Sequence, residues 1–312
     1  MTLKNKNNLI KQISFITIIL ISFILISFIL IFTLKYNSTK SVINQNTIKE
    51  TVKSDLNGDG KIDYLYIELG SENKYMLHAN INEKSYELTP NKTINSLGNF
   101  SPNCPIKLNL LDLDRNTIPE IIVQSFEENN SIQHLFKWTE NGFEDIFCST
   151  NNILGIVDSN NGKTPKILSF SLSNSKEDIQ KYMLLNKKLK NISYDTVEPP
   201  GLYSITSFID IISLNYEISE LPNIFASYIS KEDLSQIWRL EKESYYYDFQ
   251  DAFFKDIDWN NTGEVTNCSW TLNFNKIPKE NTNNKSQVNL IIQLEKINDI
   301  FLISSINLNL NK

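Results

Sequence analysis

The residues best suited to chemistry in this 312-residue chain lie in the loop from Asp55 to Asp63. Oxygen-bearing side chains occupy positions 1, 3, 5 and 9 of the loop, and position 6 is a glycine that permits a sharp turn. These side chains belong to Asp55, Asn57, Asp59 and Asp63, and the backbone carbonyl of Lys61 offers one more oxygen at position 7. Ca²⁺ takes about six to eight oxygen ligands at roughly 2.3–2.6 Å. The spacing therefore predicts a structural calcium site.

The residues that follow this loop predict a strand. Position 12, where an EF-hand loop carries a bidentate glutamate and enters a helix, is Tyr66. Apolar β-branched and aromatic residues alternate with polar ones after Asp63, which is the pattern of a half-buried strand. The first loop is therefore predicted to lie at the edge of a β-sheet.

Two further stretches repeat the pattern. The second loop, residues 112–120, keeps oxygens at the same four positions, and its candidate ligands are Asp112, Asp114, Asn116 and Glu120. It has Thr117 in place of the glycine and Arg115 within the loop, so weaker metal binding is expected. The third loop, residues 158–166, keeps Asp158 and Asn160 but has Lys166 at position 9, and no metal is predicted there.

The loop D-x-N-x-D-G-x-x-D, followed by a strand, resembles the FG-GAP/VCBS repeat of integrin-like β-propellers. The resemblance implies Ca²⁺ held for structure on the rim of a β-sheet module, which would cover residues 48–197. The loops start 112 − 55 = 57 and 158 − 112 = 46 residues apart, which leaves room for about four short strands each. Closed propellers typically need about four to eight blades. Three repeats thus predict a partial, propeller-like stack of antiparallel meanders, capped by the neighbouring domain or by another chain.

An apolar run without charge covers residues 13–34 and predicts a transmembrane signal anchor, because about 20 helical residues cross a bilayer core. Lysines in residues 1–12 mark this stub as cytoplasmic. Residues 35–47 read as a linker, with the bulk of the chain extracellular and the cell membrane as its location. A cleaved signal peptide is the alternative, but its apolar region is usually shorter and ends in an A-x-A-like site.

Composition excludes some functions. The net charge of −6 and the pI of about 5.2 argue against a nucleic-acid partner, whose binding surface would be basic. Three scattered cysteines do not fit a zinc site or a disulfide scaffold. Cys104 and Cys148 could pair between repeats, although free buried thiols are the favoured interpretation.

The sequence from residue 198 to 312 predicts a C-terminal α+β domain. Pro199, Pro200 and Gly201 mark the boundary. A capping signal at Ser230 predicts a long helix whose apolar face extends to Phe253. Three strand candidates follow, and this order is similar to that of NTF2-like domains.

No catalytic motif is found. His78 and His134 lie far apart within predicted strands, and the cluster from Tyr245 to Asp251 fits the core face of the predicted helix better than a pocket. The chain is therefore predicted to be no enzyme but a calcium-stabilised binding or scaffolding protein of the cell envelope, with an envelope protein as partner. Two alternatives stay open: a small-molecule sensor or hydrolase with its pocket in the C-terminal domain, and a subunit of an envelope assembly.

Overall fold

The computed structural model describes residues 50–128, 130–172, 178–214 and 222–310. Two four-stranded antiparallel meanders come first. The first sheet contains β1 (Glu50–Ser54), β2 (Asp63–Leu69), β3 (Tyr75–Ile81) and β4 (Lys84–Glu87), with a short 3-10 helix at Ser71–Asn73. The second sheet contains β5 (Lys107–Leu111), β6 (Glu120–Glu127), β7 (Asn130–Thr139) and β8 (Gly142–Ser149).

The third sheet has eight strands and joins two distant parts of the chain. Its first half is the meander β9 (Ile153–Val157), β10 (Lys166–Phe170), β11 (Gln180–Leu185) and β12 (Lys188–Asn191). Its second half is the meander β13 (Tyr245–Trp259), β14 (Val265–Pro278), β15 (Ser286–Ile297) and β16 (Ile300–Leu310). β9 and β13 meet in a parallel pair, which gives the order β12-β11-β10-β9-β13-β14-β15-β16.

In the described part of the chain between β12 and β13 there are two α-helices, α1 (Leu202–Ser213) and α2 (Lys231–Trp238). α1 buries Phe208 against the third sheet, in the same apolar cluster as Trp270 of β14. Ser230 caps α2, because its hydroxyl accepts the backbone N–H of Asp233 at 2.9 Å. The helix start predicted at Ser230 is confirmed.

Sheet faces pack on one another in chain order. β2 and β6 each place alternate residues in one core, where Leu65 contacts the cluster that includes Ile121. The opposite face of the second sheet packs on the third sheet through Ile122 and Ile156. The second sheet is therefore buried on both faces, whereas β2 alternates between buried and more exposed residues.

The predicted fold class is wrong. The described part of the chain is mostly β-structure with two α-helices, and it contains neither a closed propeller nor a helix that could cross a bilayer. The third meander and the C-terminal strands share one sheet, so a repeat module followed by a separate α+β domain does not describe the architecture. The predicted stub, anchor and linker, residues 1–12, 13–34 and 35–47, lie outside the described residues.

The long helix predicted from Ser230 is also wrong beyond Trp238, because residues Tyr245–Trp259 form β13. The apolar spacing there fits a strand with a bulge between Phe249 and Asp251 as well as it fits a helix. β13 forms backbone hydrogen bonds with both β9 and β14. This long-range pairing makes the segment a strand although its apolar spacing would also suit a helix.

Candidate metal centre

The first loop turns through two glycines with left-handed backbone conformations, Gly58 at φ 78° and Gly60 at φ 80°. This geometry aims their backbone N–H groups at the carboxylate of Asp55, which accepts hydrogen bonds from Gly58 at 2.7 Å and from Gly60 at 2.8 Å. The position-6 glycine singled out in the sequence thus shapes the turn. Asp55 is held by backbone donors, which fixes its orientation in the loop.

Asp59 is tied to a residue that the sequence did not single out. Its carboxylate accepts the backbone N–H of Lys61 at 2.9 Å and the side-chain amide of Asn82, in the β3–β4 turn, at 2.6 Å. The hydrogen bond from Asn82 is the main reason that the pKa of Asp59 is lowered. The ammonium of Lys61 donates to the Asn82 side chain at 3.2 Å instead of pairing with a carboxylate.

Asp63 is the buried member of the first loop, since only 3% of the residue is exposed where β2 begins. Its carboxylate accepts the backbone N–H of Leu56 at 2.9 Å. Burial raises its pKa, and the negative charges of Asp59 and Asp55 raise it further. The three carboxylates of the first loop therefore repel one another.

No lysine or arginine of the described ranges forms an ion pair with these three carboxylates. The predicted side-chain ligands, Asp55, Asn57, Asp59 and Asp63, all offer oxygen, which suits a hard cation. The donor types of the first loop suit Ca²⁺, but among the described residues only the second loop brings three carboxylates within 4.8 Å of one another.

The second loop has the same backbone conformation without glycine. Arg115 and Thr117 take φ values of 62° and 71°, at the positions where the first loop has Gly58 and Gly60. Asp112 accepts backbone N–H groups from Asn116 at 3.1 Å and Thr117 at 2.9 Å, and Thr117 occupies the position from which Gly60 donates to Asp55 in the first loop. The loops share one design despite the lost glycine, and the two left-handed residues carry a conformational cost.

Within the described ranges, only the second loop gathers three carboxylates into one cluster. Asp112, Asp114 and Glu120 have oxygens within 4.8 Å of one another. Glu120 is 1% exposed, and burial, together with the charges of Asp114 and Asp112, raises its pKa to about 7. One oxygen of Asp114 is buried without a hydrogen-bond partner.

A lysine sits among these carboxylates. Nζ of Lys137, on β7, lies 2.6 Å from Asp114 and 3.9 Å from Glu120, and the residue is 5% exposed. This ammonium compensates part of the negative charge of Asp114 and Glu120, which distinguishes the second loop from the first. Lys137 was not predicted as part of the site, because it is distant in sequence.

The third loop is also closed by cations of the chain. Arg115 of the second loop donates from Nη2 to the carbonyl oxygens of Asp158, Asn161 and Lys163 at 2.8–2.9 Å. Lys166 lies 3.7 Å from the Asp158 carboxylate. The backbone N–H of Asp158 donates to Asp256 of β13 at 2.5 Å, which joins the loop to the C-terminal strands.

The histidine and cysteine candidates from the sequence have structural roles or are free thiols. His134 is buried, with Nδ1 2.7 Å from Asp145 and Nε2 2.9 Å from the carbonyl oxygen of Ser96. Cys104, Cys148 and Cys268 are free, so the bridge considered between Cys104 and Cys148 is absent.

A cleft of about 1190 Å³ lies beside the third loop and the start of α1. It bears on the predicted alternative of a small-molecule pocket. Within it, Lys166 pairs with Asp158 and Asp195, the latter at 3.3 Å. The lysine thus neutralises the buried Asp158.

No family model matches the chain, and no curated protein matches it either. The geometry of the three loops is therefore the basis for a functional assignment.

Proposed function

We propose that this protein is a calcium-stabilised, non-catalytic binding or scaffolding protein whose first loop holds one Ca²⁺ ion. The ligands would be the side chains of Asp55, Asn57, Asp59 and Asp63 with the carbonyl oxygen of Lys61. The ion has a structural task, because it neutralises the loop carboxylates and fixes the start of β2 beside the β3–β4 turn.

One observation carries the proposal. The carboxylate of Asp63 is 3% exposed in the same loop as those of Asp59 and Asp55, and the neighbouring Lys61 ammonium donates to Asn82 instead of forming an ion pair with any of the three. A divalent cation would remove the repulsion among these carboxylates at once. Weak sites with Kd of about 10⁻⁴–10⁻³ M are typical of extracellular modules, so the proposal includes a location outside the cytoplasm.

The binding role is supported by sequence resemblance and by the lack of a recognised catalytic motif. Stacked β-meanders provide a rigid frame on which loops can present contacts.

Thermal unfolding of the full chain tests the proposal. A ligand at 100 times its Kd adds about 2.7 kcal/mol of stability. In a chain of this size, that stabilisation corresponds to a rise in Tm of about 5 °C or more. We expect this rise with Ca²⁺ relative to EGTA, a smaller rise with Mg²⁺, and none in Asp59→Ala.

The matched control is Glu87→Ala, which removes an exposed acidic side chain from β4 of the same sheet. This variant should keep the full response to Ca²⁺. A native chain with the same Tm in Ca²⁺ and EGTA would show that the first loop is only a turn.

A further inference from the structure

The strand register places a different residue opposite position 9 in each of the first two loops. In the first sheet, the pairing of Tyr64 with Asn80 sets Asp63 opposite Ile81. In the second sheet, the pairing of Ile121 with Phe136 sets Glu120 opposite Lys137. Residues directly opposite on antiparallel strands share one face of the sheet. Ile81 and Lys137 are therefore structural equivalents, one apolar and one cationic.

The charge of Lys137 is used inside the second loop. Its ammonium lies 2.6 Å from Asp114 and is buried with it, since the side chains are 7% and 9% exposed. Taking a lysine charge out of water is costly unless a partner compensates for it. Asp114 and Glu120 provide that compensation, as Ca²⁺ ligands would for a metal ion.

In the third loop the cationic side chains come from other positions than in the second loop. Position 9 is itself Lys166, which pairs with Asp158, and the guanidinium of Arg115 fills the space between three loop carbonyls. Backbone carbonyls and carboxylates are the ligands that Ca²⁺ prefers. In the third loop, Lys166 contacts the carboxylate and Arg115 contacts the carbonyl oxygens.

We propose that Lys137 is the resident cation of the second loop and excludes divalent metal ions from it, so that replacing Lys137 opens a calcium site there. The metal requirement of the chain is then confined to the first loop, where Ile81 supplies no charge. That last step rests on the proposed function, whereas the exclusion by Lys137 does not.

The second loop keeps the features of a site for a stronger cation. An ammonium offers three hydrogen bonds, and one oxygen of Asp114 is left buried without a partner. Three acidic side chains would meet within 4.8 Å without compensation once the ammonium is gone. A divalent ion would supply the positive charge lost with Lys137 and could bind the unpartnered Asp114 oxygen.

Calorimetric titration of the full chain with CaCl₂ tests this. The key variant is Lys137→Ile, which copies the residue of the first loop, in an Asp59→Ala background that disables the first loop. We expect the stoichiometry to rise from zero in Asp59→Ala to one Ca²⁺ in the double variant. Lys255→Ile in the same background replaces an exposed lysine of β13 and should bind none.

Two results would overturn the proposal. One is a folded double variant that binds no Ca²⁺. The other is an Asp59→Ala chain that still binds one Ca²⁺ and loses it on Asp114→Asn. Titration of the native chain separates the two proposals. If the native chain binds no Ca²⁺, the proposed calcium site of the first loop is wrong. The gain of one Ca²⁺ on Lys137→Ile still tests the exclusion by Lys137.

A second measurement applies if Lys137→Ile does not fold. With Lys137 as the resident cation, Asp114→Asn lowers the Tm by the same amount in Ca²⁺ and in EGTA. A metal ion in the native second loop would make the loss larger in Ca²⁺ than in EGTA, and the proposal would be wrong.

Discussion

Gly155 of β9 lies directly against the ring of Phe254 on β13. The two residues face each other in the parallel pair, and a Cβ atom on Gly155 would be 2.0 Å from the ring carbons. This close approach allows the early meander and the C-terminal strands to form one sheet. Only glycine leaves room for the ring there.

Gly155→Ala should destabilise the protein because the added methyl group overlaps Phe254. Overpacking of this kind costs about 1–3 kcal/mol, measured as a lower midpoint of urea unfolding. Gly162→Ala is the control, because a Cβ at Gly162 has no neighbour within 4 Å. Equal stability of both variants would contradict the packing described for this seam.

Lys107 of β5 and Asp251 of β13 form an ion pair that joins the second sheet to the third. Asp251 is 1% exposed and also accepts the side-chain amide of Asn273 at 2.7 Å. Lys107→Met would leave a buried charge without its cation, which typically costs about 3–5 kcal/mol in unfolding free energy.

The double variant Lys107→Met/Asp251→Leu should recover much of this loss, because no charge is then buried. Lys84→Met, on exposed β4, controls for loss of a lysine elsewhere. A Lys107→Met chain as stable as the control would mean that the pair does not hold Asp251.

The raised pKa of Glu120 predicts a pH dependence of stability. The folded chain holds this proton up to a pKa of about 7, whereas an unfolded glutamate releases it near its ordinary value of 4.5. Between these values the folded state binds more protons, so stability falls as pH rises. The shift corresponds to about 3 kcal/mol at full ionisation.

Urea unfolding in EGTA from pH 5 to 8 measures this effect. Glu120→Gln should flatten the decline and be more stable than the native chain at pH 8. Glu140→Gln, an exposed position in the turn between β7 and β8, should leave the decline unchanged. An unchanged decline in Glu120→Gln would assign it to another group.

The cap of α2 is the fourth test. Ser230→Ala removes the acceptor for the backbone N–H of Asp233, and loss of such a cap costs about 1 kcal/mol. Ser235→Ala, within the same helix, should cost less because its hydroxyl only donates back to the carbonyl of Glu232. If both variants lose similar amounts of stability, measured as the midpoint of urea unfolding, the Ser230 cap does not stabilise α2 as described.

The sequence by itself determined features whose causes are local. The turn of the first loop follows from Gly58 and Gly60, whose backbone N–H groups reach Asp55 a few residues away. The cap at Ser230 likewise depends on a donor three residues on. Backbone conformation and short-range hydrogen bonds decide such features, so neighbouring residues suffice to predict them.

Only the tertiary structure decided which distant residues pair with each strand and reach each loop. Residues 245–253 were compatible with helix or strand, and pairing with β9 and β14 made them a strand. Lys137 and Ile81 become equivalent only through strand register, and Arg115 serves the third loop although it belongs to the second. The charge of a distant side chain is felt at a site only after the sheets pair and pack, because that step brings the groups together and excludes water.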